Sequence, residues 1–456
     1  MRPSATSPRP GTPQQFDALR RFLADSGYTE AAVCRRLGIS RLSQAARLRI
    51  GGPPPDGLDA LIRLFVLEEP LPASCLPAEI AALAGALGLV ETRGKLLAPT
   101  ARLYPVQTVY VVSDLERSAK PGGGRVFSAI SPQTEDFLQM TGERPCPACL
   151  ELCAGAGAAA LLAAQRYAVQ AYAFDISPRC AAFAEFSRRL NGLRNLTVRR
   201  GDLYAPARGQ TFDRILAHPP YVPSLRTAQV FRDGGDDGET LTRRIIEGLP
   251  EYLHPGGRLY LTAMLAEYPA ESIESRLRRW LHHAAPEFDI VAVHRQRYDA
   301  GNFLFDNADP ADIPAWRQLL EQRRITWFRY ATVIVERHRE AAAPITLTRA
   351  AGTAFTIAAA ERALAAARRL EAADWLELCP VPAAPVERIV SHGLKNAAWV
   401  EDGCALRIER PFAVEVPANE SAAALLARCD GRTAIRELGN ESELRQWILA
   451  GLLEIA

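Results

Sequence analysis

Small and acidic residues interrupt an apolar run between positions 149 and 157, where the sequence reads Cys-Leu-Glu-Leu-Cys-Ala-Gly-Ala-Gly. This pattern predicts a strand and a tight turn, followed by a helix over residues 158–165. Gly155 and Gly157 can adopt positive φ and let a ligand come close to the backbone, and the helix start presents free N–H groups. The turn therefore predicts a ligand site, although Gly-x-Gly turns also serve ordinary helix packing.

Polar residues recur where three further strands are predicted to end. The strand over residues 171–175 ends in Asp175, and the strand over residues 196–203 ends near Asp202. A fourth strand, beginning at residue 212, leads into His218, Pro219, Pro220 and Tyr221. If these strands are parallel neighbours, their carboxyl ends meet at one edge of a sheet. A carboxylate at position 175 would there suit the two hydroxyls of a ribose.

This ordered set resembles the class I S-adenosylmethionine-dependent methyltransferases, and within them the HemK/PrmC glutamine N5-methyltransferases. The resemblance implies that residues 151–157 form the first motif, that Asp175 is the ribose acid and that Asp202 lies near the adenine. Residues 218–221 stand in the place of the Asn/Asp-Pro-Pro-Tyr motif, so His218, Pro219 and Tyr221 are the implied catalytic residues. The residues implied to bind S-adenosylmethionine are Glu151, Cys153, Ala154, Gly155, Gly157, Asp175, Ile176, Asp202, Leu203 and His218.

Three flanking segments support the resemblance. Residues 126–135 include a Pro-x-x-Glu segment ahead of the first motif, and residues 231–238 with 243–246 follow the Pro-Pro-Tyr loop. Residues 253–259 precede the predicted fifth strand. The loop from residue 220 to residue 238 is long for an ordinary connection, which favours a substrate-binding segment.

Two residues depart from the family pattern. Cys153 stands where the family usually has a glycine, so we expect that this position does not need positive φ. His218 replaces the Asn or Asp that, in the family, accepts hydrogen bonds from a planar NH2 group. A neutral imidazole offers one acceptor and can also take a proton, so His218 could imitate the Asn or act as a general base.

The composition is typical of a soluble globular protein, and 456 residues predict two or three domains. No apolar run of about 20 residues suggests a membrane span, and residues 1–13 lack an apolar signal core, so we expect a cytoplasmic protein without a membrane partner. The net charge is +2, and arginine supplies 51 of the 54 basic residues, which does not indicate a nucleic-acid partner. Cys146, Cys149 and Cys153 are interpreted as small buried hydrophobes rather than metal ligands.

The expected fold class is α/β, with a Rossmann-like, mostly parallel seven-stranded sheet. After a disordered tail over residues 1–13, we expect an N-terminal helical, winged-helix-like domain at 14–100 and the methyltransferase domain at 101–340. A small α+β accessory domain follows at 341–456. The N-terminal domain could cap the cofactor cleft or bind DNA, and the three glycines at 122–124 could let a loop move over a ligand.

The sequence therefore predicts a methyltransferase acting on a nitrogen of a peptide, protein or small metabolite. One alternative is an O-methyltransferase that uses His218 as base on a small molecule. Another is a non-catalytic, regulatory protein that binds S-adenosylmethionine and holds a partner with its end domains. The methyl acceptor and the oligomeric state stay open.

Overall fold

The computed structural model describes residues 8–52, 54–116, 126–225, 230–307, 310–395 and 398–456. The predicted glycine loop at 122–124 and the first seven residues of the predicted tail lie outside these ranges. The chain forms two compact units, Met1–Ala263 and Met264–Ala456. Within the described ranges, every helix is too short or too polar to cross a membrane.

The first unit begins with short helices and a small antiparallel sheet. Thr12 caps the first helix through a reciprocal bond with Gln15, and Gly38 ends the second helix at φ +65°. The predicted hairpin turns at Gly94, which has φ +61°, and a third strand joins it in the order β1-β3-β2. The elements are α1 (Pro13–Asp25), α2 (Glu30–Leu37), α3 (Gly57–Leu61), β1 (Leu71–Pro72), α4 (Ala78–Ala86), β2 (Val90–Arg93) and β3 (Leu96–Pro99).

A hairpin and a short helix connect this region to the predicted site. The connection consists of β4 (Arg102–Val106), β5 (Val109–Ser113) and α5 (Pro132–Gln139). Ser131 caps α5 by accepting a hydrogen bond from the Thr134 N–H, and Pro132 occupies the first helical turn. The Tyr104 hydroxyl, buried between these elements, accepts a hydrogen bond from the Ala129 N–H at 2.7 Å.

The remainder of the first unit alternates strands and helices, as predicted. Its elements are β6 (Cys146–Leu152), α6 (Ala158–Arg166), β7 (Ala168–Asp175), α7 (Pro178–Leu190), β8 (Leu196–Arg200), β9 (Phe212–Ala217), α8 (Thr240–Glu247), α9 (Leu249–Tyr252) and β10 (Leu253–Glu267). The ladders β10/β9, β9/β6, β6/β7 and β7/β8 are all parallel. The carboxyl ends of these five strands therefore lie at one edge, which is where the sequence predicts the ligand.

The second unit continues with strands and helices and ends in a small α+β region. Its elements are α10 (Ile273–Trp280), β11 (Phe288–Asp299), α11 (Ala300–Asn307), α12 (Ile313–Arg323), β12 (Trp327–Arg337), β13 (Thr346–Ala350), α13 (Ile357–Arg369), β14 (Pro380–Pro382), β15 (Glu387–Lys395), β16 (Ala398–Ile408), β17 (Val414–Pro417), α14 (Glu420–Ala427), α15 (Ile435–Leu438), α16 (Glu441–Ala450) and β18 (Leu453–Ile455). Leu406, Ile435, Leu444 and Trp447 belong to the buried core of this end region.

The large sheet has eight strands in the order β13-β11-β12-β10-β9-β6-β7-β8. The mostly parallel α/β fold is confirmed, whereas the expected count of seven strands was one too low. The extra strand is β13, a five-residue edge strand with exposed Thr346 and Thr348 and buried Leu347 and Arg349. An arginine at a buried position breaks the apolar alternation by which a strand is predicted.

The tryptophans are unevenly distributed along the chain. All six follow residue 263, so they belong to the second unit. Trp280, Trp316 and Trp447 are buried, whereas Trp399 at the tip of the β15–β16 hairpin is 71% exposed.

Candidate active site

Glu151 lies near the end of β6 and is buried beneath the turn that follows. Its Oε2 accepts a hydrogen bond from the Ala160 N–H in the first turn of α6 at 2.7 Å. Burial raises the pKa of Glu151 to about 8, although hydrogen bonds from the Ala160 and Ala159 N–H groups oppose the shift. The Glu151 carboxyl is therefore mostly protonated near pH 7.

The turn after β6 uses left-handed backbone at three positions. Cys153, Gly155 and Gly157 have φ of +54°, +54° and +78°. The expectation that this position does not need positive φ was wrong, because Cys153 lies in the strand-to-helix turn and adopts φ +54°. A non-glycine residue bears a cost of roughly 1–2 kcal/mol there. Gly157 is further required because a Cβ would lie 3.0 Å from the Cβ of Ala184.

Asp175 ends β7 and is fixed against the same turn. Its Oδ2 accepts a hydrogen bond from the Gly155 N–H at 2.8 Å, and its Oδ1 accepts one from the Ser177 N–H at 2.8 Å. Burial raises the pKa of Asp175, and these two bonds oppose that shift. Ile176, the next residue, is 50% exposed although it is apolar. A carboxylate fixed by two backbone hydrogen bonds, next to an exposed apolar side chain, suits a ligand with a ribose and a flat ring.

Asp202 follows the end of β8 and lies beside Asp175. The Gly201 N–H donates to the Asp175 carbonyl at 2.9 Å, which joins the two loops. The Asp202 carboxylate is exposed and pairs with Arg244 at 2.7 Å, so it is accessible but already partly neutralised. Leu203 is buried and adopts φ +46°.

The carboxyl groups of Glu151, Asp175 and Asp202 all act on the thiol of Cys153. Burial raises the pKa of the Cys153 thiol, and the charges of Asp175, Asp202 and Glu151 raise it further. Ala154, the next residue, donates its N–H to the Phe174 carbonyl in β7 at 3.1 Å. The structure therefore brings the acids of three predicted motifs together around one turn.

His218 directly follows β9 and is enclosed by aromatic rings. Its imidazole stacks on Phe137, with centroids 5.1 Å apart, and lies 5.5 Å from the ring of Tyr221. Its Nε2 is buried and has no hydrogen-bond partner among the described residues. Burial lowers the pKa of His218 from 6.5 to about 4, with a small opposing effect from Asp136. The imidazole is therefore neutral near pH 7.

The loop after His218 folds back on itself. Pro219 is buried, and the Val222 N–H donates to the Arg232 carbonyl at 2.9 Å. Gly238 packs so tightly that a Cβ would lie 2.3 Å from the Tyr221 carbonyl oxygen. Residues 226–229 of the predicted substrate-binding loop lie outside the described part of the chain. The described part fixes the backbone that carries Tyr221.

The sequence did not predict the residues that fix the position of His218. Arg41, between α2 and α3, pairs with Glu135 at 3.0 Å and with Asp136 at 2.6 Å, both on α5. The Ser43 hydroxyl also donates to Glu135, at 2.6 Å. Phe137 on the same helix then contacts His218. The Pro-x-x-Glu segment was the available signal, and Phe137 lies just two residues beyond it.

Comparisons with known proteins find similar sequences. Residues 126–285 match the methyltransferase small domain family. The ribosomal protein uL3 glutamine methyltransferase of Burkholderia pseudomallei is 28% identical over 305 residues, which cover 58% of this chain and 94% of the relative. The uL3 glutamine methyltransferase of Bradyrhizobium diazoefficiens is 37% identical, over 24% of this chain and 38% of the relative. The release factor glutamine methyltransferase of Moorella thermoacetica is 36% identical, over 24% of this chain and 42% of the relative.

Residues 126–285 thus carry a methyltransferase small domain, and the chain is similar to HemK/PrmC-like, class I S-adenosylmethionine-dependent methyltransferases. The chain spans less than half the length of the Bradyrhizobium and Moorella relatives. S-adenosylmethionine is the cofactor of this family.

The residues at the sheet edge fit this cofactor. A Cβ on Gly155 would meet no atom within 4 Å, so the turn leaves open space beside the Asp175 carboxylate. The exposed Ile176 side chain offers an apolar surface for a flat ring. The individual cofactor and catalytic contacts stay predictions.

Proposed function

We propose that the protein is an S-adenosylmethionine-dependent N-methyltransferase whose acceptor is a side-chain carboxamide of a protein. The observation that carries this proposal is the buried His218 Nε2, which has no partner among the described residues. A neutral imidazole protonated on Nδ1 offers Nε2 as a hydrogen-bond acceptor. An N–H of a carboxamide is the matching donor, and this contact would orient the nitrogen.

The low pKa of His218 argues against its use as a general base. A group with a pKa of about 4 holds a proton weakly, and hydroxyl acceptors need a strong base or a prior ionisation. This disfavours the O-methyltransferase alternative. In the proposed transfer the carboxamide nitrogen forms a bond to the methyl group as the sulfonium–methyl bond breaks and S-adenosylhomocysteine is released, and the nitrogen then gives its proton to water. The acceptor therefore needs alignment more than deprotonation.

The chain's own residues would act by positioning. Asp175, held by two backbone N–H groups, would accept hydrogen bonds from the ribose hydroxyls, and Ile176 would cover one face of the adenine. The cofactor supplies an electrophilic methyl group on a sulfonium, which is transferred by in-line displacement. His218 and the Pro219 carbonyl would hold the acceptor nitrogen on that line, and the Tyr221 ring would limit its movement.

The names of the similar proteins suggest which substrates to test. Their names specify glutamine in ribosomal protein uL3 and in release factors, both protein acceptors. We therefore offer the purified full chain glutamine-bearing segments of uL3 and of a release factor, with glutamate at the acceptor position as the matched control. The expected result is S-adenosylhomocysteine formation that depends on the glutamine.

Variants of His218 separate the alternatives. His218→Asn retains an acceptor and should keep most of the turnover, whereas His218→Phe keeps a ring without an acceptor and should lose it. The cofactor affinity should change little in either variant. Transfer to hydroxyl groups would refute the nitrogen acceptor, and cofactor binding without turnover on any protein fraction would support the regulatory, non-catalytic alternative.

A further inference from the structure

The strand β15 lies at an open edge of a small sheet in the second unit. This sheet has the order β15-β16-β17, and β15 pairs with β16 along all nine of its residues, Glu387–Lys395. Within the described part of the chain, the backbone of β15 makes no hydrogen bond outside this ladder. The N–H and C=O groups that point away from β16 are therefore available to another extended strand.

Three other edge strands carry the usual protection against such pairing. The opposite edge of the same sheet, β17, has four residues and ends in Pro417. The strand β14 has three residues and contains Pro380 and Pro382, and β1 has two residues and ends in Pro72. Short length and proline both prevent an edge from pairing. In contrast, β15 is nine residues long and contains no proline.

Apolar side chains are exposed along the β15–β16 hairpin. Val390 and Leu394 on β15 are 37% and 63% exposed, and Trp399 and Val400 on β16 are 71% and 44% exposed. Leu394 lies directly opposite Trp399 in the ladder, so these two side chains share one face of the sheet. Val390 lies on the same face of β15 as Leu394, because side chains alternate along a strand. Exposed apolar residues on an unprotected edge indicate an interaction surface.

A second copy of β15 matches this edge in length and in the order of its charges. Glu387 begins the strand and Lys395 ends it. In an antiparallel pair of two β15 strands that is centred on Ser391, all nine residues of each copy are paired. Glu387 of one copy then lies opposite Lys395 of the other at both ends, and opposite charges that face each other across a ladder are favourable.

The inner positions of this register contain no facing pair of like charges. Arg388 lies opposite Leu394, whose exposed side chain can be covered by the arginine stem. Val390 lies opposite His392. Centring the pair on Val390 instead would place Arg388 against His392, and centring it on His392 would place this residue against its own copy. The register centred on Ser391 is therefore favoured.

We infer that the open edge of β15 is the interface of a homodimer, in which two copies of the chain pair their β15 strands in antiparallel orientation about a two-fold axis. Such an interface is isologous, because each copy uses the same surface. It joins the two three-stranded sheets into one continuous sheet and covers the edge that carries Val390 and Leu394. This inference is independent of the proposed methyl transfer.

Sedimentation equilibrium of the purified chain should give twice the mass of one chain. The double variant Val390→Lys, Leu394→Lys places lysines on the open edge, as protected edge strands do, and should weaken the association by about tenfold or more. Val169→Lys is the matched control, because Val169 is 76% exposed on β7 in the first unit and should leave the dimer mass unchanged. Circular dichroism confirms that each variant is folded.

An exchange of charges tests the register. Glu387→Lys should weaken the dimer, because like charges would then face each other at both ends, and the double variant Glu387→Lys, Lys395→Glu should restore it. Glu387 also pairs with Arg407 of its own chain at 3.3 Å. Arg407→Gln removes this internal pair alone and should leave the dimer intact, which separates the two effects.

Hydrogen exchange locates the interface. The β15 amides that point away from β16 should be protected in the parent and exchange faster in the double lysine variant. A monomer mass for the parent would overturn the inference, and so would a dimer that survives both lysines or a charge exchange that fails to restore it. A monomeric parent whose β15 amides become protected only with an added glutamine-bearing protein would assign this edge to that protein instead.

Discussion

The ring of Phe137 stacks on the imidazole of His218, with centroids 5.1 Å apart and planes inclined by 27°. This contact joins α5 to the loop after β9, two elements that are far apart in the sequence. Arg41 holds the same helix through Glu135 and Asp136. The orientation of His218 thus depends on residues outside the family motifs.

Removal of the Phe137 ring should loosen His218. An aromatic pair contributes about 0.5–1.5 kcal/mol beyond area burial, which corresponds to roughly a 2- to 12-fold change in a rate or equilibrium constant. We expect Phe137→Ala to lower kcat/KM for methyl transfer by about that factor or more, with an unchanged Kd for the cofactor.

Steady-state kinetics and calorimetry test this expectation. Phe355→Ala is a suitable control, because it removes a comparable pair with Phe412 at 5.9 Å that involves no predicted site residue. A weaker cofactor Kd with unchanged turnover would show that Phe137 supports the cofactor pocket instead.

Loss of Arg41 should act through α5. The Arg41→Gln variant loses ion pairs at 3.0 and 2.6 Å to carboxylates that are more shielded than most surface groups. Because partly exposed pairs contribute only about 1 kcal/mol, we expect a small loss of stability and a several-fold loss of kcat. Arg41→Lys should restore part of the rate.

The matched control for Arg41 is Arg436→Gln, which breaks an exposed pair with Glu377 at 2.5 Å. It should leave kcat unchanged. If both variants lowered kcat equally, Arg41 would have no specific influence on His218.

The pH dependence of activity should reveal the protonation state of His218. Its folded pKa of about 4 lies below the ordinary 6.5, so the ring is neutral from about pH 5 upward. We expect no activity limb near pH 6.5 from this residue, and His218→Asn should show the same profile shape. A limb near pH 6.5 that disappears in His218→Asn would instead identify a general base.

The same shift affects stability. Between pH 6.5 and about 4 the unfolded chain binds the His218 proton and the folded chain does not. The stability that depends on a neutral His218 is therefore present above pH 6.5 and is lost as the pH falls through this window. His218→Asn should lose less stability over that range in urea unfolding.

Glu151 should have the opposite effect on stability. Its folded pKa of about 8 exceeds the ordinary 4.5, so the folded protein retains a proton that the unfolded chain has released. Stability should fall as pH rises between these values, by up to about 1.4 kcal/mol per pH unit. Urea unfolding from pH 5 to pH 8 measures the slope.

Glu151→Gln should flatten that slope, since the amide does not titrate. Glu143→Gln, a change in a 64% exposed side chain paired with Arg166, serves as the control and should retain the slope. An unchanged slope in Glu151→Gln would refute the assignment.

The parallel sheet and its acidic edge were predictable because buried strands such as β6 and β7 consist mostly of apolar residues. The proximity of Asp175 to Gly155 followed from parallel order alone. Cys153 was misjudged because turn geometry outweighs residue preference at a single position. The Pro-x-x-Glu segment lies next to Phe137, but it does not show that the ring contacts His218, because this contact depends on how distant segments pack.

Arg349 was missed for a related reason. Arg349 is one of 51 arginines, and an arginine is normally expected at the surface. The strand β13 also has too few apolar residues to indicate which of its faces is buried. The β15–β16 hairpin was also missed, since its exposed residues, including Leu394 and Trp399, do not alternate as a half-buried strand does.

The distribution of tryptophan makes the two units optically distinct. The unit that ends at Ala263 contains none, so selectively excited indole fluorescence reports on the second unit, and Trp399 is its quencher-accessible component. A single indole introduced as Ile176→Trp would therefore be the sole fluorophore of its kind beside the predicted adenine site. Cofactor titrations could then be followed against a background that belongs entirely to the other unit.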